Sequence, residues 1–183
     1  MPMSDVMWQR GSAGLSREVR VVKPLQLDDH TPQTTGMRRL AAISHIRVGS
    51  EALWAGVMLA EPDTASSVHH HGHLETVVYV LSGPSKVRWG DRLEHEVELE
   101  PGDFVFIPPY MPHQEINPSP DQATQWVVVR SGPEAVVVEL TRAPDGRYAE
   151  QADVIDREPQ LPKENQHVQA NGLPRGRSGR RRR

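Results

Sequence analysis

Short runs of β-branched and apolar residues, broken every few positions by glycine or proline, leave this chain little choice of architecture. The 14 Gly and 16 Pro interrupt stretches long enough for the 3.6-residue period of a packed helix, while the two-residue period of a strand needs only a handful of positions. Strands are predicted over Val19 to Val22, Arg39 to Ile46, Ala52 to Ala60, Thr76 to Leu81, Lys86 to Trp89, Leu93 to Leu99, Phe104 to Ile107, Gln125 to Val129 and Ala135 to Leu140. Their number and close spacing predict an all-β fold, a barrel or a sandwich.

The clearest local signal runs from Lys86 to Leu99, where Gly90-Asp91 supplies a tight turn between two alternating segments and so predicts a β-hairpin. In its second arm Leu93, His95, Val97 and Leu99 share one face, and Glu94, Glu96, Glu98 and Glu100 share the other. The glutamates read as a solvated face, the apolar set as the half-buried one.

A length of 183 residues suits one domain. Residues 1–18 are polar and aperiodic, and residues 143–183 are rich in Gln, Pro, Glu and Arg, so both are expected to be flexible tails around a core at 19–142. The longest gently apolar stretch, Ala52 to Ala60, is far too short for a membrane helix, and residues 1–22 lack the apolar region of a signal peptide, so a cytoplasmic location is the expectation. A formal net charge of -3 argues against specific nucleic-acid binding; the terminal run from Arg180 to Arg183, with Arg175 and Arg177, offers at most weak attraction to polyanions.

With no cysteine, disulfides, iron–sulfur clusters and thiolate zinc sites are excluded, and any metal must sit on imidazole and carboxylate. Four histidines and a glutamate fall between positions 69 and 75, in His-His-His-Gly-His-Leu-Glu. On an extended chain His69, His71 and Glu75 can point the same way, with a turn at Gly72 between them. Such a set suits divalent iron, manganese, nickel, copper or zinc. Further on, prolines at 108, 109 and 112 stiffen the backbone just before His113, a way to hold a ligand without a helix.

In these two segments the chain resembles the cupins, a superfamily of small β-barrels. The first family motif, G(X)5HXH(X)3,4E(X)6G, is met by His69, His71, Glu75 and Gly83; the second, G(X)5PXG(X)2H(X)3N, by Gly102, Pro108, His113 and Asn117. Three departures stand out. Asp63 occupies the place of the first glycine, Tyr110 that of the glycine in the second motif, and seven residues instead of six separate Glu75 from Gly83. The last leaves room for a bulge, with His70 or His73 as alternates for one of the two histidines.

The resemblance implies a single cupin-type barrel (a double-stranded β-helix, or jelly roll) and one divalent metal ion, Fe(II) favoured, held by His69, His71, Glu75 and His113 with open positions for substrate. It points to an Fe(II)-type dioxygenase acting on a small oxygenated metabolite. A metal-dependent isomerase or lyase, or a non-catalytic small-ligand binder, are the alternatives. With Glu75 inward, parity places Val77, Tyr79 and Leu81 inside the barrel, making Tyr79 a candidate catalytic phenol, and turns Val78 and Val80 outward. His95 is a candidate hydrogen-bond partner of the centre, and Trp89, Trp126 and Arg88 are placed near the cavity. Outward Val78, Val80, Val127 and Val129 suggest a homodimer, as many cupins form.

Overall fold

The structure, a computed structural model, describes residues 18–34 and 36–151. Its strands, in chain order, are β1 (Met37–Ile43), β2 (Trp54–Ala60), β3 (Thr64–Ala65), β4 (His69–His70), β5 (Thr76–Ser82), β6 (Ser85–Trp89), β7 (His95–Leu99), β8 (Phe104–Ile107), β9 (His113–Asn117), β10 (Thr124–Arg130), β11 (Val138–Glu139), β12 (Thr141–Arg142) and β13 (Tyr148–Ala149). Among the described residues the helical elements are a 3-10 turn at Pro24–Gln26 and α1 (His45–Val48), which Ser44 caps by accepting a hydrogen bond from the Arg47 backbone N–H. Among the described residues no helix is long and apolar enough to cross a membrane.

The strands build two antiparallel sheets. One runs β1-β2-β10-β5-β8; the other runs β11-β4-β9-β6-β7, with β3 beside β9. Their inner faces share one core: Met58, Val78, Val80, Trp126 and Val128 from the first sheet meet Val87 and Leu99 from the second. The expected all-β barrel is therefore present, closed by sheet-on-sheet packing of alternating residues.

Several strands differ from the expectation. Val19 to Val22 forms no strand: among the described residues nothing covers Val19 and Val21, which are exposed. The apolar stretch Ala135 to Leu140 shrinks to the two residues of β11. β9 escapes a hydrophobicity reading because its inward residues, His113, Glu115 and Asn117, are all polar. Residues 1–17 and 152–183, which hold most of both expected tails and the arginine run, lie outside the described residues. Between them and the core, pairing of β12 with β13 carries regular structure past residue 142.

The hairpin is confirmed with a longer connection. Trp89 pairs with His95, so five residues, 90–94, make the loop, entered through Gly90 at φ 109°. Glu94, Glu96, Glu98 and Glu100 are exposed as expected, and Glu96 reaches the Lys86 ammonium at 2.8 Å. On the opposite face only Leu99 is fully buried, since β7 is the edge of its sheet.

The two residues standing where the family pattern has glycine keep the backbone shape that glycine favours. Asp63 has φ 52° and Tyr110 φ 58°. Each sits in the left-handed region at a strain of order 1 kcal/mol, and Tyr110 is held there by its N–H donating to the Gly72 carbonyl at 2.8 Å.

Trp126, on the central strand of the first sheet, is fully buried and its indole N–H donates to Ser85 Oγ at 2.8 Å, tying the two sheets together. Trp126→Ala is expected to lower the unfolding free energy by about 3–5 kcal/mol, measured by urea denaturation, as loss of a fully packed aromatic does.

Candidate metal centre

The second sheet brings two histidine segments face to face: in the β4/β9 pair His69 lies opposite His113. Along β9 the two-residue period then turns Glu115 and Asn117 inward with His113. Past His71 the chain reverses at Gly72, φ 58°, and the Leu74 N–H closes the turn on the His71 carbonyl. This turn resets the parity of the next strand. Leu74, Thr76, Val78 and Val80 go inward and are buried, leaving Glu75, Val77, Tyr79 and Leu81 outward.

His69, His71, His113 and Glu115 offer ligand atoms that all lie within 4.8 Å of one another, and all four residues are buried. Each imidazole is oriented the same way. The Nδ1 of His69 lies 2.9 Å from the Ser67 carbonyl, that of His71 3.0 Å from the Val136 carbonyl, and that of His113 2.8 Å from the Met111 carbonyl. A carbonyl oxygen only accepts, so each Nδ1 must carry a proton and donate, and in the neutral ring that makes Nε2 the lone-pair nitrogen. The three Nε2 atoms converge beside Glu115, at 3.7 Å from its carboxylate for both His69 and His113, where those two nitrogens have no hydrogen-bond partner.

Electrostatics favour the form that ligates. Burial pushes the pKa of His69 down to about 4 against the attraction of Glu115, and burial together with the Arg130 charge holds His71 far below its ordinary value. For Glu115 burial alone would favour the acid, but the surrounding imidazoles, His69 foremost and then His113 and His71, outweigh it and hold its pKa well below the carboxylate range. Ser66 adds a hydroxyl donor to Glu115 at 3.0 Å. Three imidazoles and one carboxylate, with buried nitrogens lacking any partner, fit a divalent metal ion: this group could hold one.

Of the four residues the sequence reading placed on a metal, the structure brings His69, His71 and His113 together and leaves Glu75 out. Glu75 is exposed; its backbone N–H binds Ser131 Oγ at 2.9 Å. Thr76, one residue on, holds the inward position and is separated from Gly83 by the six residues of the family pattern, so the anomalous spacing marked Glu75 as out of register. The carboxylate comes from Glu115 instead, two positions after His113 on the same strand face.

The alternates fall elsewhere. His73 is exposed, and His70 faces away from the cluster, accepting the Gly72 N–H at Nδ1 and approaching Glu150 at 3.3 Å. Tyr79 is on the outer face, its ring 4.7 Å from that of Phe104, and Val78 and Val80 are inside; both assignments reverse with the parity of β5. His95 is exposed and stacks on Trp89, Arg88 is exposed and pairs with Glu96, and Trp126 belongs to the core. Trp89 does border a cavity of about 410 Å³ that reaches His113, lined also by Ile107, Pro108 and Met111.

Two further buried groups escaped the sequence reading. Arg39 and Arg130 are both 1% exposed. Arg39 donates to the Pro32 carbonyl and to Thr34 Oγ1. Arg130 lies over the Trp54 ring, 5.2 Å from its centroid, and its Nη2 donates to His71 Nε2 at 3.4 Å. Burial and the Arg39 charge lower the pKa of Arg130 to about 9, with Glu115 working the other way, so the guanidinium stays charged at neutral pH. Nothing in the local sequence marks either arginine except its alternation with apolar neighbours.

Residues 56–130 match a family model described as Cupin domain. Among solved structures, the polyketide cyclase RemF from Streptomyces resistomycificus is 20% identical, with TM-score 0.56 over 70% of this chain and 90% of that one. An oxalate decarboxylase is 18% identical, TM-score 0.53, over 62% of this chain and 31% of that one. Vicilin from Corylus avellana is 17% identical, TM-score 0.55, over 68% and 37%. At these identities the likeness is one of fold. No curated protein matches the sequence.

The different standing of the two glutamates has a measurable consequence. Glu115→Gln removes the one carboxylate that offsets Arg39 and Arg130 and is expected to destabilise the metal-free protein by about 3–5 kcal/mol, whereas Glu75→Gln at the surface changes it by about 0.5 kcal/mol or less. Urea denaturation of both variants after dialysis against a chelator reads the difference.

Proposed function

The chain belongs to the cupin superfamily through residues 56–130, and from that premise we propose that it is a metal-dependent enzyme acting on a small oxygenated metabolite. One observation carries the reading: three imidazoles, each pinned through Nδ1 to a different backbone carbonyl, aim Nε2 at one buried carboxylate. The proposed ligands are His69, His71, His113 and Glu115. A divalent ion there would supply Lewis-acid polarisation of a substrate oxygen and, as ferrous iron, access to dioxygen chemistry. Three nitrogens and one carboxylate oxygen without thiolate suit iron among the first-row metals, and we take an Fe(II)-type dioxygenase as the leading form.

The chain's own residues do the rest. The Nδ1–H donors keep each ring from rotating and raise the basicity of the ligating nitrogen. The cavity beside His113, walled by Trp89, Ile107 and Met111, accepts the apolar part of a substrate and limits the water around it. Tyr79 has no part in this proposal, since it lies on the outer face.

Pairing of two copies belongs to the same proposal. The outer face of the first sheet presents Phe104 at 73% exposure, with Leu81 and Val77 beside it and Val127 and Val129 on β10. An apolar strip of this kind on a sheet is suited to a second copy of the chain. Light scattering at micromolar concentration is expected to give a dimer, and Phe104→Glu a monomer; a monomeric wild type removes the pairing.

Metal content by inductively coupled plasma mass spectrometry, on protein purified without chelators, is the direct test of the centre. About one metal per chain is expected in the wild type and in Glu75→Ala, with loss in His69→Gln and in Glu115→Gln. Iron would support the dioxygenase, to be followed by oxygen consumption with enol and catechol-like substrates. Zinc, manganese or nickel would overturn the dioxygenase in favour of isomerase or lyase chemistry. No metal in the wild type would overturn the enzyme reading and leave a ligand-binding barrel.

A further inference from the structure

Arg130 is a buried cation whose hydrogen-bonding capacity is largely unused. Its Nε and Nη1 have no partner, and its Nη2 has only the long contact to His71 Nε2. A buried guanidinium left in this state is costly unless an anion meets it. Directly across the strand pair, Thr76 stands opposite Arg130 on the same inner face, fully buried, and its Oγ1 also has no partner. Side chains at such a register position are neighbours.

The same register row continues to the cavity. Trp54 pairs with Arg130, Arg130 with Thr76, and Thr76 with Ile107, which lines the cavity that reaches His113. Thr76 and Arg130 follow Ile107 in this row, buried directly behind the cavity wall.

We propose that Arg130 and Thr76 form the subsite for a carboxylate of the substrate, beside the metal centre, so that the small metabolite of the preceding reading is a carboxylic acid with an apolar body. The subsite rests on that reading for its catalytic meaning and on the unpartnered atoms for its existence. Two arguments converge on an anion. The first is competition for one lone pair. A metal taking His71 Nε2 would deprive Arg130 Nη2 of its acceptor, leaving every nitrogen of the guanidinium free to donate, and a planar carboxylate matches such a fork. The second is charge. Two buried guanidinium groups face one carboxylate, Glu115, and a divalent ion adds two more positive charges, so the loaded centre lacks negative charge. Thr76 fits as a hydroxyl donor to the same oxygen pair.

Calorimetric titration of the metal-loaded wild type with benzoate, acetate and benzamide tests the subsite without reference to turnover. Benzoate and acetate are expected to bind and benzamide, the neutral counterpart of benzoate, to bind at least about tenfold more weakly. Arg130→Gln is expected to weaken benzoate by about tenfold or more and Thr76→Val several-fold, with metal content unchanged in both. Arg130→Lys, which keeps the charge but not the fork, should retain the fold and part of the affinity, as thermal melting and the same titration would show. Equal binding of benzamide and benzoate, no binding of either acid, or wild-type affinity in Arg130→Gln would each overturn the proposal. Inorganic phosphate in place of acetate separates a carboxylate site from a general anion site: tighter phosphate binding would overturn the carboxylate assignment. Titration of the metal-free protein separates this from the metal reading, because benzoate binding that depends on Arg130 there would uphold the subsite even if no metal were found.

Discussion

Three hydrogen bonds from imidazole Nδ1–H to backbone carbonyls organise this molecule's polar interior. Their acceptors, Ser67, Met111 and Val136, sit in three separate segments of the chain. The bonds therefore orient the ligating nitrogens and, at the same time, tie those segments together around β4 and β9. A rotated ring would leave a buried carbonyl unpaired and turn its lone pair out of the cluster, so local folding and site geometry are one constraint.

Around that cluster the barrel accepts an unusual concentration of buried charge. Glu115 is compensated by the imidazoles and by Arg39 and Arg130, and Arg39 is anchored to Pro32 and Thr34 from the segment preceding β1. The rows further along the barrel are apolar: Trp126, Met58 and Val80 pack there in the hydrophobic core. That division gives the fold a stable half and a half whose polar groups await a partner, the usual compromise where stability is exchanged for chemistry.

Much of this could be read from alternation, and the failures trace to parity. The β6–β7 hairpin was visible from its alternation, and β5, β8 and β10 from short continuous apolar runs rich in β-branched residues. β9 was hidden because what recurs in it is His113, Glu115 and Asn117, a polar inner face in which Asn117 donates to the loop carbonyls of Ala60, Glu61 and Gln122 and the other two belong to the group that could hold a metal. Glu75 was misplaced by one residue, and that error carried Tyr79 inward and Val78 and Val80 outward with it, since a one-residue slip exchanges the faces of a whole strand. The seven-residue gap to Gly83 held the correction, which becomes legible only once Gly72 is seen to reset the phase. Arg39 and Arg130 could not be found this way, because a charged residue at an inward position looks, in sequence, like a break in a strand.

The displaced carboxylate and the unpartnered arginine are two sides of one substitution. Where the family pattern brings an acid in on β5, this chain has Thr76, a small hydroxyl side chain, and its acid arrives on β9 as Glu115. Had a glutamate stood at position 76, cross-strand pairing would have set it directly against Arg130 and neutralised it. With threonine there, the guanidinium keeps two nitrogens without a partner, while Glu115 on the opposite sheet still faces the imidazoles. Moving one carboxylate between sheets thus preserves a possible metal set and opens an anion-binding position next to it, a change that the fold tolerates because both residues lie on the inner faces of adjoining layers.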